Sequence, residues 1–388
     1  MKYFKKIGKT VIVLGFVSLL NDISSEMIYP VLPVFLTAVL GATPIQLGII
    51  EGIAETASSL LKLFFGYYSD RIKKKKPFII YGYGIAAFSR ILIAMSRTWY
   101  FVLGCRFIDR AGKGMRTAPR DALISTSASR ENIGKAFGFH RSMDHTGALL
   151  GPIIAFGILY LTKDNYRFLF FTAGMIGLLS VIVAAFFLKE KKTSEDVKTD
   201  PVKIDFRYFQ KNFYIFMGSI LIFTLGNSSD AFLLLKAKNS GVPVAFLPIL
   251  WSVLHLSKSL FSIIGGNISD IIPRKKVVQL GWLIYVGVYY AFGVFDDLYI
   301  IWVIFVFYGI YFGFTEGTQK AMVADMINRE EYRGSAYGIY NFVIGIGSLP
   351  ASIIFGLIWN IYGSSTAFFT GSGLALVSVL TISFVKTP

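Results

Sequence analysis

Stretches of about 20 apolar residues recur from one end of this chain to the other, and each is long enough to cross a hydrocarbon core of about 30 Å. A segment in lipid must satisfy its own backbone hydrogen bonds, so runs of this length are helices. Of 388 residues, 54% are hydrophobic and only 16% are charged, against roughly a quarter charged in a soluble domain. The sequence therefore predicts an all-α polytopic membrane protein and excludes a soluble enzyme. Twelve spans are expected. Those of the first half are 10–38, 44–68, 77–96, 99–123, 134–161 and 167–188; those of the second are 212–236, 243–268, 275–295, 297–323, 334–361 and 365–385. Residues 1–188 then make one six-helix bundle, 189–211 a polar cytoplasmic linker and 212–388 a second bundle.

The net charge of +16 would suggest nucleic acid in a soluble protein. Here the basic residues sit between alternate apolar runs, as in Arg71–Lys76, Lys189–Lys192 and Arg274–Lys276. That is the positive-inside pattern, and it places both termini and the linker in the cytoplasm. The partners expected are membrane lipids, protons and a small-molecule substrate, with no nucleic acid. The single cysteine, Cys105, permits no internal disulfide. Lys2, Lys5 and Lys6 precede an apolar run that continues past Ile28 with no small-residue cleavage pattern, so it reads as a retained first helix.

The two halves repeat. Gly66-Tyr-Tyr-Ser-Asp70 matches Gly266-Asn-Ile-Ser-Asp270, and Glu131–Gly138 matches Glu331–Gly338, both at an offset of 200. Internal repeats of six spans are a transporter architecture, with the substrate site near the midplane between the repeats.

Gly66, Asp70, Arg71, Lys74 and Lys75 close the second span. They resemble the signature of the loop between helices 2 and 3 in the major facilitator superfamily, and Gly266, Asp270, Arg274 and Lys275 form a second copy. The resemblance covers the whole chain. It implies that family's fold, 12 transmembrane helices in two pseudo-symmetric six-helix bundles, working by alternating access. It also implies that Asp70 and Arg71, with Asp121 on span four, form a gate latch. Asp70 would face the helix starting near Gly334, and Asp270 the one starting near Gly134. Ile271 stands where an arginine would complete the second copy, which implies a weaker latch there. Either motif also reads as a helix end followed by a topogenic basic loop.

Gly138, Gly147, Gly151 and Pro152 resemble the fifth-helix motif of the family's proton-coupled drug and small-molecule antiporters, although Ala155 and Phe156 replace its later glycines. Such spacing gives a flat face for close helix packing, and the proline bends the helix. Ordinary small-residue packing produces the same pattern. Arg106 stands where the family's fourth-helix motif has an arginine implicated in proton transfer, with Arg110 in place of the usual glycine.

Ionisable residues inside the spans mark candidate functional positions, because a charge facing lipid costs several kcal/mol. Arg106, Asp109, Arg110 and Lys113 share one helical face. Arg116 and Arg120 are assigned to cytoplasmic headgroups. Asp22 and Glu26 share a face of span one, and Glu51 and Glu55 a face of span two, Glu51 near the outer surface and open to solvation. His140, Arg141 and Asp144 lie within one turn of span five; an Arg141–Asp144 pair reads as a static clamp or as part of coupling. A buried carboxylate with no fixed partner suits a proton carrier. Glu26 and Glu55 lead that role, followed by Asp22 and Asp144, with Arg106 assisting. Substrate contacts are expected from Asp109, Arg110, Lys113, His140 and Arg141. The sparser second half adds Asn227, Asp230, His255, Glu316 and Asn341. Its aromatics Tyr308, Tyr311, Phe312 and Phe314 could line a substrate wall or simply pack.

No Walker lysine motif, Ser-His-Asp order or His-Glu-x-x-His sequence is present, so neither ATP-driven nor hydrolytic chemistry is expected. No cofactor or metal is called for, and the driving force is a proton gradient. The resemblance implies proton-coupled efflux by antiport. Proton-coupled uptake of an anionic metabolite is the alternative that the basic residues motivate. A receptor or assembly factor without transport is the third reading. The expected setting is the inner membrane of a prokaryote and the expected working unit a monomer.

Overall fold

The computed structural model describes residues 8–72, 75–127, 133–190, 209–327 and 333–386, without the side chains at 63, 66–72, 133–134 and 333–335. Among the described residues the chain is all helical, and its helices group into twelve spans. In the first half these are α1 (Lys9–Ile28), α2 (Pro44–Ile72), α3 (Lys76–Ala94), α4 (Trp99–Ser127), α5 (Ile133–Thr162) and α6 (Tyr166–Phe187). In the second they are α7 (Lys211–Gly226), α8 (Leu247–Ile271), α9 (Arg274–Val294), α10 (Leu298–Asp325), α11 (Arg333–Tyr362) and α12 (Ser364–Ser383). Ten spans are long and apolar enough to cross a membrane. The other two, α2 and α4, are 29 residues each and carry Glu51, Glu55 and Lys62, or the run from Arg106 to Asp121.

Two spans expected to be continuous are broken. α1 stops at Ile28, restarts as Leu32–Val34 and ends in a π-helical turn, Phe35–Val39. Pro30 has no N–H to offer, and Pro33 sits in the first turn of the restart, where none is needed. Gly41, at φ 67°, then reverses the chain in the left-handed conformation that glycine adopts without penalty. α7 breaks over Asn227–Asp230 and resumes as Ala231–Asn239. The break puts polar backbone and side chains beside buried tyrosines rather than lipid.

Small residues bring the helices together. A β-carbon on Gly147 would lie 2.8 Å from the Leu19 carbonyl oxygen of α1, and one on Gly151 2.6 Å from that of Ile23. Gly82 of α3 and Gly112 of α4 meet backbone to backbone, as do Gly226 of α7 and Gly371 of α12. This is how apolar helices associate when lipid supplies no hydrophobic drive. Gly138 has nothing within 4 Å of its would-be β-carbon. It shares the motif but not the packing.

The chain divides into two compact units. One comprises Met1–Ala42, Ile53–Glu195 and Pro243–Ser252; the other comprises Thr43–Gly52, Asp196–Val242 and Val253–Pro388. Each unit thus takes in a ten-residue piece of the opposite half of the sequence, and the two pieces stand 200 residues apart. In the second unit, Gly48 and Gly52 press against Ser352 and Leu349 of α11. In the first, Phe246 meets Phe156 of α5 edge-on at 5.1 Å between ring centres and Trp251 meets Tyr29 at a tilt at 5.0 Å.

Candidate functional site

The polar interior of the first unit is organised by a residue that the sequence did not single out. Arg90 lies on α3 with 3% of its surface exposed. Its Nη2 is 3.1 Å from Asp109 Oδ1 of α4, and its Nε donates to the same oxygen at 3.2 Å. Nη1 donates to the Asn21 carbonyl at 3.2 Å and to Ser24 Oγ at 2.8 Å, both on α1. Ser24 Oγ in turn donates to the Ala173 carbonyl of α6 at 2.5 Å. One guanidinium and one serine therefore tie four helices together. The available signal was a lone arginine in an otherwise apolar run, which needs an interior partner.

With Asp109 engaged by Arg90, the four charges expected on one face of α4 divide. Arg110 pairs with Glu55 of α2 at 3.2 Å. Lys113, Arg106 and Lys62 also lie within electrostatic reach of this carboxylate. Glu55 is not the unpartnered acid that its position on α2 suggested. Arg106 is buried, its Cζ 5.8 Å from the Tyr29 ring centre. Arg116 is buried too, with its Cζ 4.5 Å above the Tyr83 ring. It therefore does not reach headgroups as expected. Arg120 pairs with Asp121 at 2.9 Å and donates to Ser18 Oγ at 3.5 Å, turning inward as well. Glu51 is 2% exposed, which corrects its reading as a solvated outer residue.

At the α1–α5 contact, Asp144 accepts from Ser18 Oγ at 2.5 Å. Its second oxygen is 3.4 Å from Nδ1 of the buried His140 and 3.7 Å from Arg141, which is 70% exposed on its side chain. The spacing within α5 had indicated both pairs. Asp22 accepts from Asn21 Nδ2 at 2.9 Å and lies within electrostatic reach of Asp144, Glu26, Arg116 and Arg120. Glu26 accepts from the indole N–H of Trp251 at 2.8 Å. Trp251 is a further residue that sequence reasoning missed, since nothing in a single sequence pairs residue 26 with residue 251.

The second unit replaces charges with tyrosines. Tyr308 donates to Asp230 at 2.6 Å, Asn227 donates to the Tyr311 hydroxyl at 3.4 Å, and Tyr285 donates to Asn227 Oδ1 at 3.3 Å. Tyr289 lies 3.2 Å from Ser228 Oγ. These four tyrosine rings are buried against one another, with Tyr285 and Tyr289 stacked at 4.1 Å. Tyr308, Tyr311 and Phe314 are thus interior residues, while Phe312 carries the Lys258 ammonium 3.4 Å from its ring centre. Glu316 pairs with Lys320 one turn on at 3.4 Å, Asn341 donates to its own helix at Tyr337, and His255 is half-buried on α8.

Of the gate motif, Gly66, Asp70 and Arg71 lie outside the described side chains, as do Gly134 and Gly334. The described partner of Asp121 is Arg120. In the second copy Gly266 has open space at its would-be β-carbon, and Asp270 pairs with Arg274 at 3.7 Å. Arg274 also pairs with Asp325 at the end of α10. Pro152 is carried inside the continuous α5, as Pro350 is in α11.

Comparison with known proteins adds to this geometry. The family model described as Major Facilitator Superfamily matches residues 14–257 and 215–388. An uncharacterized MFS-type transporter, MJ1317 of Methanocaldococcus jannaschii, is 35% identical over 387 residues, covering 98% of this chain and 96% of its own. The quinolone resistance protein NorA of Staphylococcus aureus is 26% identical over 208 residues, 52% of either chain. Among solved structures, the nucleoside transporter NupG superposes with a TM-score of 0.81 at 13% identity, covering 97% of this chain and 98% of its own. A POT family transporter in complex with 5-aminolevulinic acid gives 0.80 at 13% identity, with 98% of both chains covered. Those two likenesses concern the fold.

Proposed function

This chain belongs to the major facilitator superfamily and is a secondary transporter, and we propose that it exports a small molecule in exchange for protons. The observation carrying this reading is the convergence of Asp22, Glu26 and Asp144 where α1 meets α5. Carboxylates crowded in a low-dielectric interior repel one another, and binding a proton relieves the repulsion. A substrate that draws on the same negative charge competes with that proton. Competition for one site is the thermodynamic content of antiport. The partial likeness to NorA, named for quinolone resistance, supports the direction of transport.

A second reading, uptake of an anionic metabolite together with protons, is favoured by the cations within electrostatic reach of Glu55. An anion that took Arg110 and Lys113 from Glu55 would leave that carboxylate to a proton, so anion and proton would bind together. Under the first reading Asp22, Glu26 and Asp144 handle protons, and under the second Glu55 does. Asp109 is engaged by Arg90. Its basic loops support cytoplasmic termini, and we propose a monomer in the inner membrane of a prokaryote.

The test is proton movement in proteoliposomes on adding a panel of quinolones, organic cations, carboxylates and phosphate esters. Proton release on substrate addition supports exchange. Proton uptake with an anion supports the second reading. No flux of any panel member across a pH gradient would leave the receptor reading.

A further inference from the structure

The first turns of α8 rest on α1 and α5, and the hydrogen bond shown from them to an α1 side chain ends on an acid. Phe246 packs edge-on against Phe156 of α5, and the Trp251 ring packs at a tilt against Tyr29 of α1. These contacts are apolar and insensitive to charge. Trp251 Nε1 then donates to Glu26 Oε2 at 2.8 Å. An indole N–H is a donor only, so the bond depends on what Glu26 offers. Glu26 is itself held from behind, since a β-carbon on Gly151 would lie 3.0 Å from its Cβ.

We propose that Trp251 is a positioning residue that reads the charge of Glu26, so that proton occupancy of α1 sets whether the start of α8 stays docked. An ionised carboxylate makes a charge-assisted bond to the indole, roughly twice as strong as the neutral bond left after protonation. Proton uptake therefore loosens the polar hold while the ring contacts remain. α8 is the right lever. Trp251 lies near the start of the continuous helix Leu247–Ile271, so a shift there is passed along that helix.

Among the described residues, the charged groups around this region of α1 include Asp22 on α1, Asp144 with His140 on α5, Arg90 on α3, and Arg106, Asp109, Arg116 and Arg120 on α4. Arg90 and Asp109 are committed to each other, Asp144 to His140 and Ser18, and Arg120 to Asp121. Arg106 also lies over the Tyr29 ring that Trp251 contacts.

This inference rests on the proton-coupled reading and is tested apart from it. Ser252→Cys, made with Cys105→Ser in the full chain in liposomes, reports undocking by its rate of maleimide labelling. That rate is divided by the rate for the same thiol in the denatured protein at the same pH. Labelling is expected to rise about five-fold on acidification, the factor for roughly 1 kcal/mol between a charged and a neutral hydrogen bond. Glu26→Gln should label at the fast rate at every pH. Trp251→Phe, which keeps the ring contact and removes the N–H, should do the same. A pH-independent rate in the parent, or a Trp251→Phe variant that responds to pH like the parent, overturns the proposal. Proton-driven flux by the parent protein, measured in the same liposomes, decides the transport reading separately. Gel filtration identifies a variant that has failed to fold, and the Glu26→Gln arm then decides alone.

Discussion

At the residue scale the interior is governed by which cation holds which acid. Arg90 and Asp109 are both buried, so removing one strands the other. Breaking a buried pair this way costs about 3–5 kcal/mol, whereas replacing both with apolar residues is often neutral. Arg90→Met should therefore lower the thermal midpoint in detergent by several degrees. The double variant Arg90→Met with Asp109→Leu should recover at least half of the loss. If the double variant is no better than the single one, the hydrogen bonds to Asn21 and Ser24 dominate the clamp. Lys236, 1% exposed, gives a lopsided case, because its partner Asp296 at 2.5 Å is largely exposed. Asp296→Ala strands a buried ammonium and should destabilise by about 3 kcal/mol, while Lys236→Met should be close to neutral. Urea or thermal unfolding of the two variants side by side checks this asymmetry.

At the element scale the pairing of α1 with α5 depends on two glycines and not on the third. Gly147→Val should cost about 1–3 kcal/mol, because its side chain would enter backbone at Leu19 and the Asp22 Cβ. Gly138→Ala meets open space and should shift stability by less than about 0.5 kcal/mol. Equal losses for both, read as melting midpoints, would mean the motif acts otherwise than by packing. The same contrast shows what a sequence can tell. Existence and order of ten of the twelve spans followed from apolar run length, because lipid leaves a chain few alternatives. Pairs within one helix, such as His140 with Asp144, followed from helical spacing. Pairs between helices did not. Whether Asp109 turns to Arg90, or Arg110 to Glu55, depends on helix rotation, and a shift of one residue turns a helix through about 100°. The breaks at Tyr29–Val31 and Asn227–Asp230 escaped notice because apolar residues continue on either side of them.

At the scale of the whole molecule, duplication explains the frame, and the two copies differ in what fills their interiors. α5 and α11 have bounds 200 residues apart and each carries a proline within a continuous helix. Yet Tyr340, Asn341 and Ile344 occupy the repeat positions of His140, Arg141 and Asp144. One copy kept titratable groups in its interior, and the other filled the space with Tyr285, Tyr289, Tyr308 and Tyr311 around Asn227 and Asp230. Tyrosines offer a broad apolar face and a hydroxyl donor together, which suits recognition of a ligand more than passage of a proton. Coupling and recognition should then separate on mutation. Glu26→Gln and Asp22→Asn should abolish the dependence of flux on the pH gradient while substrate exchange without a gradient persists. Tyr308→Phe removes the donor to Asp230 and should raise KM about ten-fold, as expected for one lost hydrogen bond to a charged group. Its proton-to-substrate ratio should stay unchanged. Measuring KM and that ratio for each variant in proteoliposomes decides the matter. A Tyr308→Phe protein that loses its proton ratio while keeping its KM would place coupling in the second copy and reverse the division drawn here.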